Sequence, residues 1–345
     1  MRKVKAAIYQ GQKHIDMAEL PTPAAGDDDV VIRNLYASIC GTDVAVYLHG
    51  PKTGHRISVG EEFGHEAVSV VAQAGKDVRD FRVGDIVYPY PLLARGDTRR
   101  AGTMGAFSEY ILIPHARKNR QLYPVDPAIP TRAACLIEPF TVGCRAARRA
   151  RPEPGESAVV FGAGTIGIAA AIALREFGLR QVLICDHSDF RLGKAAALGF
   201  AVCNNARQDL RKAAIDTFGT AHALDGATGD VDIYIDAAGA PELLDDYFST
   251  GKIESRMVAV AVAAGKRPVD ILHMTYAQQA LIGSGGYMPE DVSMVMAIMA
   301  SGRWDVASLI THEYPWEQLP QAIEMAARPQ EALNVIVRYD AAGRE

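Results

Sequence analysis

Two short stretches carry side chains that could do chemistry together. Cys40-Gly41-Thr42-Asp43 follows an apolar run that reads as a strand, and Gly60-Glu61-Glu62-Phe63-Gly64-His65-Glu66 precedes another. A thiolate, an imidazole and carboxylates drawn from separate loops are the donor types that hold a catalytic zinc ion with one position left open. Each residue also has a plainer role. A single cysteine is usually core, a single histidine a hydrogen-bonded structural residue, and Glu61, Glu62 and Glu66 could form a solvated edge. Spacing alone leaves both readings open.

A third stretch runs from the apolar strand Val159-Val160-Phe161 through Gly162-Ala163-Gly164-Thr165-Ile166-Gly167 into an Ala-rich helix. G-x-G-x-x-G at such a junction suits a dinucleotide. Gly162 permits the tight turn, Gly164 lets the backbone approach a pyrophosphate, and Gly167 lets the helix sit close on the strand. The helix N-terminus at Thr165 and Ile166 offers free N–H groups and the positive end of its dipole. The next apolar run, Val182-Leu183-Ile184-Cys185, ends on Asp186, roughly 24 residues after Gly162 and near the offset at which a carboxylate meets the ribose 2′-hydroxyl. A carboxylate there repels a 2′-phosphate and so favours NAD over NADP. Arg191 is a nearby cation that could receive such a phosphate, and Asp186 is expected to dominate from its place at the strand terminus.

The elements that must position these groups fall into two patterns. Residues 1–115 read as short strands and turns (Val4–Tyr9, Asp29–Arg33, Ala67–Val71, and a turn into a strand over Phe81–Val87), which suggests a partly closed β-barrel. From Thr131 to Arg149 the apolar spacing is helical, with Arg145, Arg148 and Arg149 near the C-terminal end of the dipole. Arg151-Pro152-Glu153-Pro154-Gly155-Glu156 then breaks the pattern and marks a domain boundary. Beyond it strands and helices alternate (Ser157–Phe161, Thr165–Phe177, Gln181–Asp186, Phe190–Leu198, Val231–Ala237, Met257–Val262), the mark of a parallel doubly wound sheet. After about Gly285 come two helices, Pro289–Ser301 and Leu319–Ala327, and a last strand, Asn334–Tyr339. By pattern alone this tail could complete the sheet or return to the first domain.

In combination these motifs resemble the zinc-containing medium-chain dehydrogenase/reductase superfamily. Cys-Gly-Thr-Asp, Gly-His-Glu, Gly84-Asp85, Gly105-Ala106-Phe107-Ser108-Glu109-Tyr110 and Glu138-Pro139-Phe140-Thr141-Val142-Gly143 occur in that superfamily's order, followed by the glycine turn and Asp186 with Arg191-Leu192. The likeness covers essentially the whole chain and is strongest to the polyol, threonine and butanediol dehydrogenase branch. Glu138 opens a Glu-Pro motif where liver-type alcohol dehydrogenases carry a zinc-binding cysteine. The resemblance implies an α/β protein: a GroES-like, partly open barrel over residues 1–150 and 286–345, with a Rossmann domain at 151–285. It implies one catalytic zinc at Cys40, His65 and Glu66, with Glu138 as a direct or water-mediated ligand, and NAD as cofactor. Thr42 matches the hydroxyl that takes the substrate proton.

Departures from the family pattern narrow the expectation. No cysteine lies between 41 and 134, so no second, structural zinc is expected, and the short segment Tyr88–Gly105 with Arg95, Arg99 and Arg100 must be held by packing. The relay histidine of sorbitol-type enzymes is replaced by Ala45; His49 and His55 are candidate substitutes that otherwise read as ordinary loop histidines. Gly286 stands where sorbitol dehydrogenases carry an arginine beside a tyrosine, so long sugar alcohols fit less well. The run Gly283, Tyr287, Asp291 is closer to butanediol-type enzymes. A small vicinal diol or short polar secondary alcohol is the expected substrate.

Bulk properties set the remaining bounds. At 345 residues, 49% hydrophobic and 22% charged, the chain is a two-domain globular protein. A net charge of −5 gives no reason to expect nucleic acid or an anionic membrane surface as partner. The first twenty residues lack the apolar run of a signal peptide, and no apolar run approaches the ~20 residues of a membrane helix. Five scattered cysteines without a framework spacing suit a reducing, cytoplasmic setting. A homodimer or homotetramer is expected from the resemblance. Two other functions fit the sequence less well: a zinc-free NAD(P)H reductase of quinones or enones, disfavoured by the Cys-Gly-Thr-Asp and Gly-His-Glu pair, and a non-catalytic nucleotide sensor, disfavoured by the intact donor set.

Overall fold

A computed structural model describes residues 3–94, 100–101, 103–262 and 265–339. The chain divides into two compact units, one of residues 1–138, 299–302 and 306–345, the other of residues 139–298 and 303–305. The division at 138/139 falls inside the helix Ile137–Arg149.

The first unit is built on a seven-stranded sheet with the order Ile310–Pro315, Asn334–Arg338, Val30–Ser38, Glu66–Ala74, Ile86–Pro89, Leu122–Pro124, and Tyr110–Ile113 pairing separately with Val30–Ser38. Only Ile310–Pro315 and Asn334–Arg338 run parallel; the other pairs are antiparallel. Two register shifts interrupt the pairing of Val30–Ser38 with Glu66–Ala74, with the extra residue once on each strand, a usual way to curl a sheet toward a barrel. The ribbon Lys3–Gly11/His14–Pro21 stands beside it. Inside, Tyr9, Phe63 and Phe107 meet edge to face. Trp316 Nε1 donates to the Phe107 carbonyl, and the Tyr339 hydroxyl to the Ala106 carbonyl. The last two strands of the chain therefore belong to this seven-stranded sheet.

The second unit carries a six-stranded parallel sheet in the order Ala201–Cys203, Gln181–Cys185, Ser157–Phe161, Ile233–Asp236, Arg256–Ala259, Ala280–Gly283. This is the doubly wound order in which the first strand sits centrally and the ligand crevice opens at its C-terminal end. Ser157–Phe161 is buried at every position, which is why it reads as an uninterrupted apolar run. Elements absent from the sequence reading are short or weakly patterned. Ala201–Cys203 has three residues, and Leu210–Phe218 is announced mainly by its cap, Asp209 accepting from Lys212 N. The hairpin Thr220–Ala223/Gly226–Gly229 is an addition outside the main sheet. The stretch 131–149 is two helices, Thr131–Ala134 and Ile137–Arg149, rather than one. Among the described residues no helix is long and apolar enough to cross a membrane.

Candidate active site

Strand register explains why two stretches some twenty residues apart meet. Ser38, the last residue of one strand, pairs directly with Glu66, the first of its antiparallel neighbour. Cys40, just beyond the first, and His65, just before the second, are thus held at one end of the ladder. One ligand atom each from Cys40, His65 and Glu66 lies within 4.8 Å of the others. Cys40 also N-caps the helix Gly41–His49, and Asp43 in its first turn accepts a 3.0 Å bond from the Cys40 N–H. Glu62 and Glu66, which could have formed a solvated edge, are both buried.

The electrostatics of this cluster describe a missing positive charge. Burial, helped by Glu66, pushes the Cys40 thiol up to about 11, and burial lifts the Asp43 carboxyl to about 7. Burial raises Glu66 as well, against a hydrogen bond from Ser38. Burial opposes a charged His65, but Cys40 and Asp43, and then Glu138, outweigh it and hold the imidazole well above its usual value. Asp43 Oδ1 and His65 Nδ1 are buried without a hydrogen-bond partner. A divalent cation would favour every ionised donor here, and sulfur, nitrogen and oxygen ligands are the set that zinc accepts. The residues fit the metal.

Glu138 is buried in the first turn of Ile137–Arg149 and close enough to act electrostatically on His65. Thr42 has as its neighbour His55, one of the two candidate substitutes for the relay histidine. His55 Nδ1 lies 3.3 Å from Thr42 Oγ1 and 3.5 Å from Asp43 Oδ1, and its ring stands edge-on to His65 at 5.4 Å. Far from an ordinary loop histidine, its side chain is only 13% exposed, and burial with the His65 charge pushes it down to about 4. The loop that carries it has no periodicity, so spacing could not find it. One signal was available: a Cβ on Gly54 would lie 2.2 Å from the Thr42 carbonyl oxygen, so only glycine lets the loop pass this close. His49 sits in the last turn of Gly41–His49.

In the second unit, Gly162 has φ +102°, and a Cβ on Gly167 would sit 1.8 Å from the Gly162 carbonyl oxygen. The turn therefore requires glycine at both ends. Thr165 and Ile166 open the helix Thr165–Glu176, with Gly164 at its N-cap. Asp186 follows the neighbouring strand and folds back on the turn: Oδ2 accepts from Ala163 N at 2.7 Å and Oδ1 from Ser188 N at 2.8 Å. Arg191 Nη1 comes within 3.9 Å of where a Gly164 Cβ would be. Tyr287 is buried, and Asp291 is taken up by Arg148 Nε at 2.6 Å and Met288 N at 2.9 Å, a structural use.

An open β unit with sulfur, nitrogen and oxygen donors gathered at one end, followed by a doubly wound dinucleotide-type unit, defines a zinc-dependent dehydrogenase acting on CH–OH groups. Residues 26–125 match the alcohol dehydrogenase GroES-like domain, and residues 165–301 match the zinc-binding dehydrogenases. The chain belongs to the zinc-containing medium-chain dehydrogenase/reductase superfamily, in its polyol, threonine and butanediol dehydrogenase branch. It is similar to L-threonine 3-dehydrogenase of Edwardsiella ictaluri, 27% identical over 332 residues that cover 92% of this chain and 94% of that enzyme. It is equally similar to sorbitol dehydrogenase of Bacillus subtilis, 27% identical over 362 residues and 97% of each. Among solved structures, 2R,3R-butanediol dehydrogenase from Bacillus subtilis shares the fold, with a TM-score of 0.83 over 97% of this chain and 99% of that chain at 23% identity.

Proposed function

We propose that the protein oxidises a small vicinal diol or short polar secondary alcohol with NAD, and reduces the matching ketone in reverse. The observation that carries this is the Cys40–His65–Glu66 cluster with Thr42 and His55 beside it. Cys40, His65 and Glu66 hold the zinc, and Glu138 is a further direct or water-mediated ligand. Bound there, the metal supplies Lewis-acid polarisation that lowers the pKa of the substrate hydroxyl. Thr42 Oγ1 accepts the hydroxyl proton, and His55 Nδ1 receives it from Thr42, which supplies the exit that Ala45 does not. Gly162, Gly164, Thr165, Ile166 and Gly167 seat the pyrophosphate on the helix N-terminus, and Asp186 holds the ribose, with Arg191 alongside. Residues 1–150 and 286–345 serve as the catalytic domain and 151–285 as the cofactor domain.

Threonine, sorbitol and butanediol, after which the relatives are named, each have a secondary carbinol next to a carbon bearing another polar group. Gly286, at φ 63°, offers no side chain to a long polyol, which favours the short members of that class. The proposed assembly is a homodimer or homotetramer. Ala280–Gly283 forms an open edge of the six-stranded sheet, and Ile271, Leu272 and Tyr276 are exposed on the helix Ile271–Ala277 that precedes it. A bare edge of this kind is a template for pairing with a second copy. Five free thiols, four of them buried, suit a reducing, cytoplasmic setting.

The test is a panel of C3–C5 diols in both stereoisomers, amino alcohols and hexitols, assayed with NAD on zinc-replete protein. The highest kcat/KM is expected for a short diol or polar secondary alcohol. A preference for hexitols would overturn the substrate class, and no NAD reduction by any alcohol would overturn the activity.

A further inference from the structure

The segment Tyr88–Gly105 contains no cysteine. Its described part is fastened by an ion pair between the half-buried Arg100 and the buried Glu62. Arg100 Nη2 donates to Glu62 Oε1 at 2.9 Å, and Arg100 Nε lies 2.9 Å from Glu62 Oε2. The Ser108 hydroxyl donates to the same Oε1 at 2.5 Å, so two hydrogen bonds meet on one oxygen of a carboxylate that is only 5% exposed. Backbone bonds follow the same line. Glu62 N donates to the Arg100 carbonyl, Gly105 N, Ala106 N and the Thr103 hydroxyl to the Gly64 carbonyl, and Phe107 N to the Phe63 carbonyl. Beside the pair is a cavity of about 10 Å³, too little for more than one water. The pair is a fastening and not a ligand pocket.

Glu62 is three residues before His65, and so three residues of chain, ~10 Å at full extension, join the fastening to the cluster. We propose that Arg100 is a positioning residue for His65 and Glu66, acting through Glu62. The inference rests on the assignment of His65 and Glu66 as metal ligands. Groups behind the ligands of a metal site set its retention, and their loss typically costs 10–100-fold in affinity or activity.

The experiment loads the full-length protein with zinc and follows its transfer to excess EDTA. Arg100→Gln should release zinc roughly 10–100-fold faster than the parent. Arg100→Lys, which keeps the charge without the planar guanidinium, should fall between, and Ser108→Ala should shift the rate in the same direction by less. The visible spectrum of cobalt-substituted Arg100→Gln should also change, as altered ligand geometry requires, while NADH affinity stays at the parental value. Zinc release within twofold of the parent in both Arg100→Gln and Ser108→Ala, with only the thermal midpoint lowered, would reduce the cluster to a structural role and overturn the inference. Should Arg100→Gln fail to fold, Ser108→Ala and Glu62→Gln decide on the same criterion. A parent that retains no zinc refutes the ligand assignment itself, whereas a zinc-bearing parent with zinc-retaining variants refutes only the role of Arg100.

Discussion

Replacing Asp186 by asparagine keeps the side-chain shape and removes one charge at the point where cofactor choice is expected to be made. In the folded chain each carboxylate oxygen already accepts one backbone N–H, from Ala163 at 2.7 Å and Ser188 at 2.8 Å. Each oxygen has a second acceptor site left, and these are available to the ribose hydroxyls. Asparagine keeps one oxygen and turns its NH2 toward a backbone N–H, so one charge-assisted bond is lost, about 1.5–3 kcal/mol of stability. A comparable loss falls on the NAD complex, about one to two powers of ten in affinity at 1.4 kcal/mol per decade. NADP gains instead. Two unit charges ~5 Å apart repel by ~3 kcal/mol at an effective dielectric constant of ~20, and a half-exposed turn retains about half of that after screening. With Arg191 close by to receive the phosphate, the ratio of kcat/KM for NAD to that for NADP should fall by about 10²–10³. The assay is initial-rate kinetics with both cofactors and one alcohol, alongside NADH and NADPH binding by fluorescence. A ratio within threefold of the parent would show that Asp186 serves only the turn and that another group selects the cofactor.

Zinc uptake should release protons and tighten as pH rises. In the metal-free protein Cys40 is held up to about 11 and Asp43 to about 7, so at neutral pH the thiol is protonated and acid competes with the metal. Competition titrations at pH 6, 7 and 8 should show affinity rising about tenfold per unit for each proton displaced; a flat profile would refute thiolate ligation. Thr42→Val should lower kcat by about 10²–10³ with zinc content unchanged, in the range found for positioned acid–base groups. His55→Gln should cost about tenfold at pH 7, with the deficit shrinking as hydroxide replaces the ring at higher pH. A parental pH–rate profile for His55→Gln would remove it from the proton path.

Sequence alone determined whatever a local pattern can encode. The apolar strand Ser157–Phe161 and the glycine turn after it were legible to the residue, because a strand buried on both faces is apolar throughout and a turn with a 1.8 Å approach at Gly167 admits no other residue. The order of motifs likewise pointed, through the family resemblance, to residues 40, 65, 66 and 138 as the proposed donors. What the tertiary structure decided depends on register and on close approach between distant segments. Pairing of Ser38 with Glu66 brings the thiol and imidazole to one end of a ladder. A loop without periodicity lays His55 against Thr42. Most distinctly, Glu62 could have belonged to a solvated edge, yet the fold buries it against the half-buried Arg100 and the Ser108 hydroxyl. A charge is buried only when its partner is already in place, and that condition is met in three dimensions and not along the sequence.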